Sequence, residues 1–306
     1  MPSNVTNSKS AFVETIAWCL VFSIEALFGI IVNLVTIAAF LDKKTPLQKQ
    51  SSPLLTNLAF ADLLVAAIVI PGWVIYYFGD SQEWVYSPVV SIGYSTIDIL
   101  TAFASVTNHG CITVERLLAT LSPMKYMHNK RKITSYLIAF PWVCAILISS
   151  LVQVGFHVFH SPMIAFFAWL PFLLALLLVI TVSYLILLCR IRQISKNLSN
   201  SSERCRRRSQ RFTVTAFIVT VVSFTAWLPF MIMSAINLFV DINDDARIVN
   251  PVKLLHFFNS LGNPIIYWLR LPHFKVSVYE LLSRCRPKTQ ADHSVQIMNG
   301  FVTSRL

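Results

Sequence analysis

The side chains of this chain that could do chemistry are few, and they stand where charge is costly. Four acids, Glu25, Asp62, Asp98 and Glu115, lie inside long apolar runs, and Arg116 directly follows the last of them. Lys253 and His256 fall in the final run. An ionisable group in such a stretch must face a protein interior, where it usually serves an ion path, a ligand or a switch. Asp62 requires polar partners or a cation, and Asn33, Ser105, Asn259, Ser260 and Asn263 fall at similar depth. An acidic, oxygen-rich set of this kind suits a hard monovalent cation, or else a water-filled hydrogen-bond network. Asp98 would pair with an ammonium, with Trp227 and Phe230 supplying aromatic faces. Lys253 could instead reach Asp98 and cancel its charge, favouring a zwitterionic or acidic ligand or a peptide terminus; the alternative is that it snorkels to the interface. His256, a helical turn from Lys253, adds a titratable contact. No nucleophile and base or metal-ligating cluster stands out, so an enzyme is the least expected class.

The elements that must position these groups follow from composition. The chain has 306 residues, 55% hydrophobic and 13% charged, a balance that belongs to a membrane protein. Apolar runs at about Ala11–Leu41, Pro53–Tyr77, Val89–Leu121, Ile133–Phe156, Met163–Leu188, Phe212–Val240 and Pro251–Leu269 each approach or exceed the ~20 residues that cross a bilayer. The expected fold is therefore all-α, a seven-transmembrane helix bundle over residues 11–269, led by segment 1–10. A short amphipathic eighth helix at 270–284 and a tail at 285–306 follow.

Lys and Arg concentrate after spans one, three and five and in the tail, whereas the opposite side has only Lys9, Arg247 and Lys253. Basic loops stay cytoplasmic, which puts the N-terminus outside and the C-terminus inside. The +11 net charge thus reports topology and affinity for anionic membrane lipid. Because the basic run Arg204–Arg211 lies between two spans, nucleic acid is not an expected partner. The polar leader and long first run predict that span one is its own insertion signal. Asn4 begins a glycosylation sequon on the outer side. The six cysteines all fall in spans or on the cytoplasmic side, so no extracellular disulfide is expected. Cys285 is placed for S-palmitoylation, or remains a free thiol.

Taken in order, these residues resemble the rhodopsin-like (class A) G-protein-coupled receptors over all seven spans. Gly29 to Asn33 resembles the span-one signature, Asn57 to Asp62 that of span two, Glu115-Arg116-Leu117 the acidic-Arg-aromatic triplet and Trp142 the span-four tryptophan. Ala226-Trp227-Leu228-Pro229 is similar to the span-six toggle, and Asn259 to Tyr267, through Asn263-Pro264, to the span-seven signature. The resemblance implies a sodium pocket of Asp62, Ser105, Asn259, Ser260 and Asn263. It also implies a switch of Glu115, Arg116, Tyr184, Trp227, Pro229, Asn263, Pro264 and Tyr267, with heterotrimeric G proteins as partners. Prolines within spans remove a hydrogen bond and kink the helix, which makes Pro229 and Pro264 natural hinges. In the switch motifs two positions depart from the pattern: Leu117 replaces the aromatic after the Arg, and Ser223 replaces the aromatic four residues before Trp227.

At the ligand end the indications divide. Asp98 follows Trp84 by 14 residues, an interval that resembles aminergic receptors, so a small protonated amine is the leading ligand class. Span five, however, presents Ala168, Trp169 and Phe172 in place of serines, the second outer loop is short, and Ser91 stands where a span-three cysteine is usual. These features are similar to the melanocortin, lysophospholipid, cannabinoid and adenosine cluster and leave a peptide or lipid-like ligand as the alternative. An opsin would need a Schiff-base lysine where Phe257 stands, and a transporter would show repeats. A weakly signalling orphan receptor remains the more remote reading. On the inner side, Phe274, Val278, Leu281 and Leu282 are spaced to face lipid. Ser304-Arg305-Leu306 fits a PDZ ligand or an inert tail, and arrestin is a partner once tail hydroxyls are phosphorylated.

Overall fold

The computed structural model describes residues 2–42, 53–81, 87–196, 203–240 and 246–284, without the side chains of 2–10, 80–81, 191–196 and 203–212. The described residues form helices α1 (Pro2–Leu41), α2 (Pro53–Leu64), α3 (Ile70–Ser81), α4 (Pro88–Leu121), α5 (Pro123–His157), α6 (Pro162–Lys196), α7 (Glu203–Ile236), α8 (Ala246–Arg270) and α9 (Pro272–Ser283). A π-turn, Val65–Val69, joins α2 and α3 into one span. Pro71 explains it: the ring lacks an N–H and would clash with the carbonyl of Ala67, so the turn ahead of it widens. Spans one to seven are thus α1, α2 with α3, and α4 to α8.

Six of these spans are long and apolar enough to cross a membrane by hydropathy alone. The seventh, α8, is diluted by the polar residues Asn250, Lys253, His256, Asn259, Ser260 and Asn263, all of them buried against the bundle. Its polarity faces inward, as cost in lipid demands. The outer faces are apolar and exposed, for example Leu20, Ile24 and Leu27 on α1.

Most helices reach beyond their apolar runs, whereas that of span six stops at Ile236, four residues short of Val240. The helix of span one already starts at Pro2, and that of span four starts at Pro123, ten residues ahead of its apolar run. Hydropathy marks where a helix is dry, whereas backbone hydrogen bonding carries it on into water. Spans four and five are joined only by residues 158–161, with His160 at φ 48°. A Cβ on Gly155 would stand 2.7 Å from the backbone nitrogen of Ala165, so this tight junction depends on glycine.

The helix after span seven corrects one expectation. Phe274 and Val278 do not face lipid; they are buried with Phe40, Leu54, Ile266 and Tyr267 in the largest apolar cluster. Phe40, Tyr267 and Phe274 form a three-ring contact with centroids 5.6 to 6.0 Å apart. The alternate face, with Tyr279 and Leu282, is the exposed one. Arg284 Nη1 closes the junction on Asp42 Oδ2 at 2.6 Å.

Candidate functional site

Three layers of polar side chains are stacked along the bundle. At the Asp98 end lies a cavity of about 450 Å³ between spans three to seven. Its wall includes Asp98, Phe103, Phe156, Phe166, Trp169, Trp227, Phe230, Ser234, Asn237 and His256. Trp227 is buried and touches Phe103, Phe230 and His256 at centroid distances of 6.2, 6.0 and 4.5 Å. It therefore links the cavity wall on three spans to the residue pair preceding Pro229. Of the span-five residues, Trp169 lines the cavity, whereas Ala168 and Phe172 pack behind it with Phe103.

Lys253 does reach Asp98. Its Nζ donates to Oδ2 at 3.0 Å, and both side chains are largely shielded. The ammonium also faces three rings, Trp73 at 5.0 Å, Phe230 at 5.3 Å and Phe257 at 5.4 Å. Snorkelling is thus not what this lysine does. Asp98 and His256 line the cavity, whereas Lys253 and Phe257 are not part of its wall. Phe257 is fully buried, packed on Phe22 and His256. Trp73 was invisible to sequence reasoning, because a Trp near the end of a span reads as an interfacial anchor.

The middle layer gathers around Asp62, which has no solvent exposure. Ser105 donates to its Oδ1 at 2.9 Å and Asn263 to its Oδ2 at 2.7 Å, with Ser260 beside the same carboxylate. Asn33 donates to the carbonyls of Gly29 and Ser260 at 3.0 and 3.1 Å, tying span one to span seven. Asn259 is buried and its Oδ1 has no hydrogen-bond partner among the described residues. Asp62, Ser105, Ser260 and Asn263 thus meet as the sequence implied, and the Asn259 oxygen is a further acceptor at this level. Trp142 Nε1 donates to Asn57 Oδ1 at 3.0 Å, and Asn57 Nδ2 donates to Asn108 Oδ1 at 2.8 Å, joining spans two, three and four.

A second contact at this depth was missed. His109 Nε2 and Ser223 Oγ lie 3.0 Å apart, both buried, bridging spans three and six. Ser223 had registered only as a missing aromatic. Its partner carried a signal of its own, a histidine flanked by Asn108 and Gly110 within a run that allows no contact with water. Phe224 packs against both the apolar cluster that holds Trp227 and the one that holds Tyr184.

At the opposite end, Arg116 Nη2 pairs with Glu115 Oε2 at 3.2 Å. Tyr126 donates to Glu115 Oε1 at 2.8 Å, so both carboxylate oxygens are engaged. Tyr184 lies 3.4 Å from Thr220 across spans five and six, and Leu117 packs into the same cluster as Tyr184. Tyr267 is buried against Phe40 and Phe274, and its hydroxyl is unpartnered among the described residues. Pro229 and Pro264 lie inside α7 and α8 as expected of hinges. Cys285, Trp84 and Ser304 to Leu306 lie outside the described residues, as does the side chain of Asn4. The cysteines Cys19, Cys111, Cys144 and Cys189 are free thiols. No group of three metal-ligating His, Cys, Asp or Glu occurs among the described residues.

A bundle of seven spans, polar along its axis and carrying an end cavity over a tryptophan, is the architecture of a seven-helix membrane protein. The family described as 7 transmembrane receptor (rhodopsin family) matches residues 32–267, and the chain belongs to that family. Somatostatin receptor type 4 of Rattus norvegicus is 25% identical over 285 residues, covering 87% of this chain and 72% of that receptor. Trace amine-associated receptor 7e of Rattus norvegicus is 25% identical over 290 residues, covering 84% and 80%. These are receptors, not enzymes.

Proposed function

We propose that this chain is a plasma-membrane receptor, N-terminus outside and C-terminus inside, that binds an extracellular small molecule over Trp227 and activates heterotrimeric G proteins. The observation that carries the reading is the continuous contact from cavity to switch. Trp227 forms cavity wall, touches three spans, and sits two residues from the kink at Pro229. A ligand that binds one arrangement of these rings better than another shifts the population of the two. The Arg116 end of span six then moves outward, and Arg116 leaves Glu115 to meet backbone carbonyls of the G protein.

The ligand class that the wall suits best is a largely apolar or aromatic molecule with one hydrogen-bond donor for Asp98. The carboxylate's charge is already matched by Lys253. A protonated amine is the second reading, favoured by the presence of Asp98 on the wall itself, and it must compete with that lysine. One relative's name carries a peptide and the other an amine, which leaves both open as panels. Sodium at Asp62, glycosylation at Asn4, palmitoylation at Cys285, arrestin, a PDZ partner and inner-leaflet lipid belong to the same proposal.

The test is G-protein activation in cells expressing the chain, against panels of biogenic amines, neutral aromatic molecules, peptides and lysolipids, with Asp98→Asn and Lys253→Ala in parallel. A response that Asp98→Asn abolishes supports the cavity. An amine response untouched by Asp98→Asn overturns the amine reading. Silence to every panel together with no basal signalling overturns coupling.

A further inference from the structure

We infer that the Lys253 ammonium fills a complete ammonium-recognition site, so that the protein carries its own tethered occupant where an amine ligand would otherwise bind. The inference rests on the cavity being the ligand site and decides between the two ligand classes. The requirements for binding an organic ammonium are a desolvated carboxylate and aromatic faces within about 6 Å of the charge. Asp98 supplies the first at 3.0 Å, and Trp73, Phe230 and Phe257 supply the second at 5.0 to 5.4 Å. Three spans besides the lysine's own contribute to this box.

The box is built independently of the lysine. Trp73 is stacked on Tyr77, with centroids 6.2 Å apart and planes 12° apart, and meets Phe22 edge-on at 6.5 Å. Phe257 is held between Phe22 and His256 at 5.9 and 5.6 Å. Phe230 rests on Trp227 and His256 at 6.0 and 4.8 Å. Rings fixed by other rings will keep their positions when the lysine is shortened. Because Lys253 occupies this space, a ligand ammonium faces both a filled box and a like charge. The wild-type cavity therefore selects against amines and takes neutral donors on the free side of Asp98.

The test is chemical rescue on the purified full chain in detergent, read as the apparent thermal midpoint. Propylammonium is the probe because it replaces the atoms from Cγ to Nζ that Lys253→Ala removes. Sodium chloride at equal ionic strength is the control. Lys253→Ala should melt lower than wild type, and propylammonium should raise its midpoint with the logarithm of its concentration, by about 3 °C at roughly ten times its Kd. Wild type and the Lys253→Ala/Asp98→Asn double variant should show no such rise. A wild-type rise that Asp98→Asn removes would overturn the inference, as would a folded Lys253→Ala that ignores propylammonium.

Should Lys253→Ala not fold, Lys253→Met fills the box without charge and strands Asp98. Its midpoint should fall, and adding Asp98→Asn should restore it; a double variant no better than Lys253→Met overturns the inference. None of these readouts needs an agonist or a G protein, so failure here is distinct from failure of the proposed coupling.

Discussion

Breaking the hydrogen bond between His109 and Ser223 should raise signalling in the absence of ligand. Ser223 lies six residues from Pro229 on the side toward Arg116, so it rides on the half of span six that swings when the bundle opens. The 3.0 Å contact to His109 ties that half to span three, and the outward movement proposed for span six would break it. Ser223→Ala removes the hydroxyl and leaves a buried imidazole nitrogen without its partner. A buried hydrogen bond contributes about 1 kcal/mol net, which corresponds to roughly a five-fold change in an equilibrium constant. For a receptor open in about 1% of molecules, near the low end of a typical minor state, the variant should be open in about 5%. Ligand-free G-protein dissociation in cells, normalised to surface receptor, reads this ratio directly. His109→Leu should act similarly, and the double variant should fall short of the product of the two because they share one bond. Basal signalling that is unchanged or lowered in Ser223→Ala, at normal surface expression, would refute the reasoning. So would two single effects that multiply fully.

Four further outcomes are expected. The apparent melting temperature of the purified chain should rise with sodium chloride over choline chloride, and Asp62→Asn should abolish the difference; equal melting in both salts refutes the sodium site. Gly155→Val should sharply reduce surface expression, because its Cβ meets the backbone of Ala165 at 2.7 to 2.8 Å and neither helix can yield cheaply. Trp142→Phe keeps the ring but leaves Asn57 Oδ1 without its 3.0 Å donor, and melting should fall by about 2–4 °C, consistent with ~1 kcal/mol. Tyr126→Phe frees one oxygen of Glu115 and weakens its grip on Arg116, so basal signalling should rise a few-fold in the same cell assay.

What could be read in advance follows from where the physics is local. Seven apolar runs and an asymmetric distribution of basic residues depend only on composition along the chain, and they defined the bundle. Asp62, Ser105, Ser260 and Asn263 were legible as a set because a carboxylate in the middle of a span must find partners, and few polar side chains share its depth. Helix rotation was not legible. Phe274 and Val278 have the spacing of a lipid-facing stripe, yet the stripe turns inward onto Phe40 and Tyr267, since periodicity identifies a face and not the surface it meets. Trp73 stayed hidden for the same reason: whether a tryptophan near a span end points to lipid or to a charge depends on the rotation of its helix.

Ser223, a departure from the family pattern, and Lys253 each have a physical consequence. Replacing an aromatic by Ser223 would leave a buried hydroxyl seeking a partner, and His109 supplies it across the same gap. The pair replaces apolar contact with a directional bond, which holds only at one separation and is lost within about an ångström of movement. Packed rings slide and lose contact gradually, so a polar clasp makes the closed arrangement more sharply defined. Lys253 acts on the cavity in a comparable way. An empty carboxylate would draw amines by charge at long range, whereas an internal ion pair removes that attraction and leaves shape and apolar surface to select the ligand. On the proposed reading, agonist potency should be insensitive to ionic strength, whereas the potency of a cationic agonist drawn by a bare carboxylate would fall as salt rises.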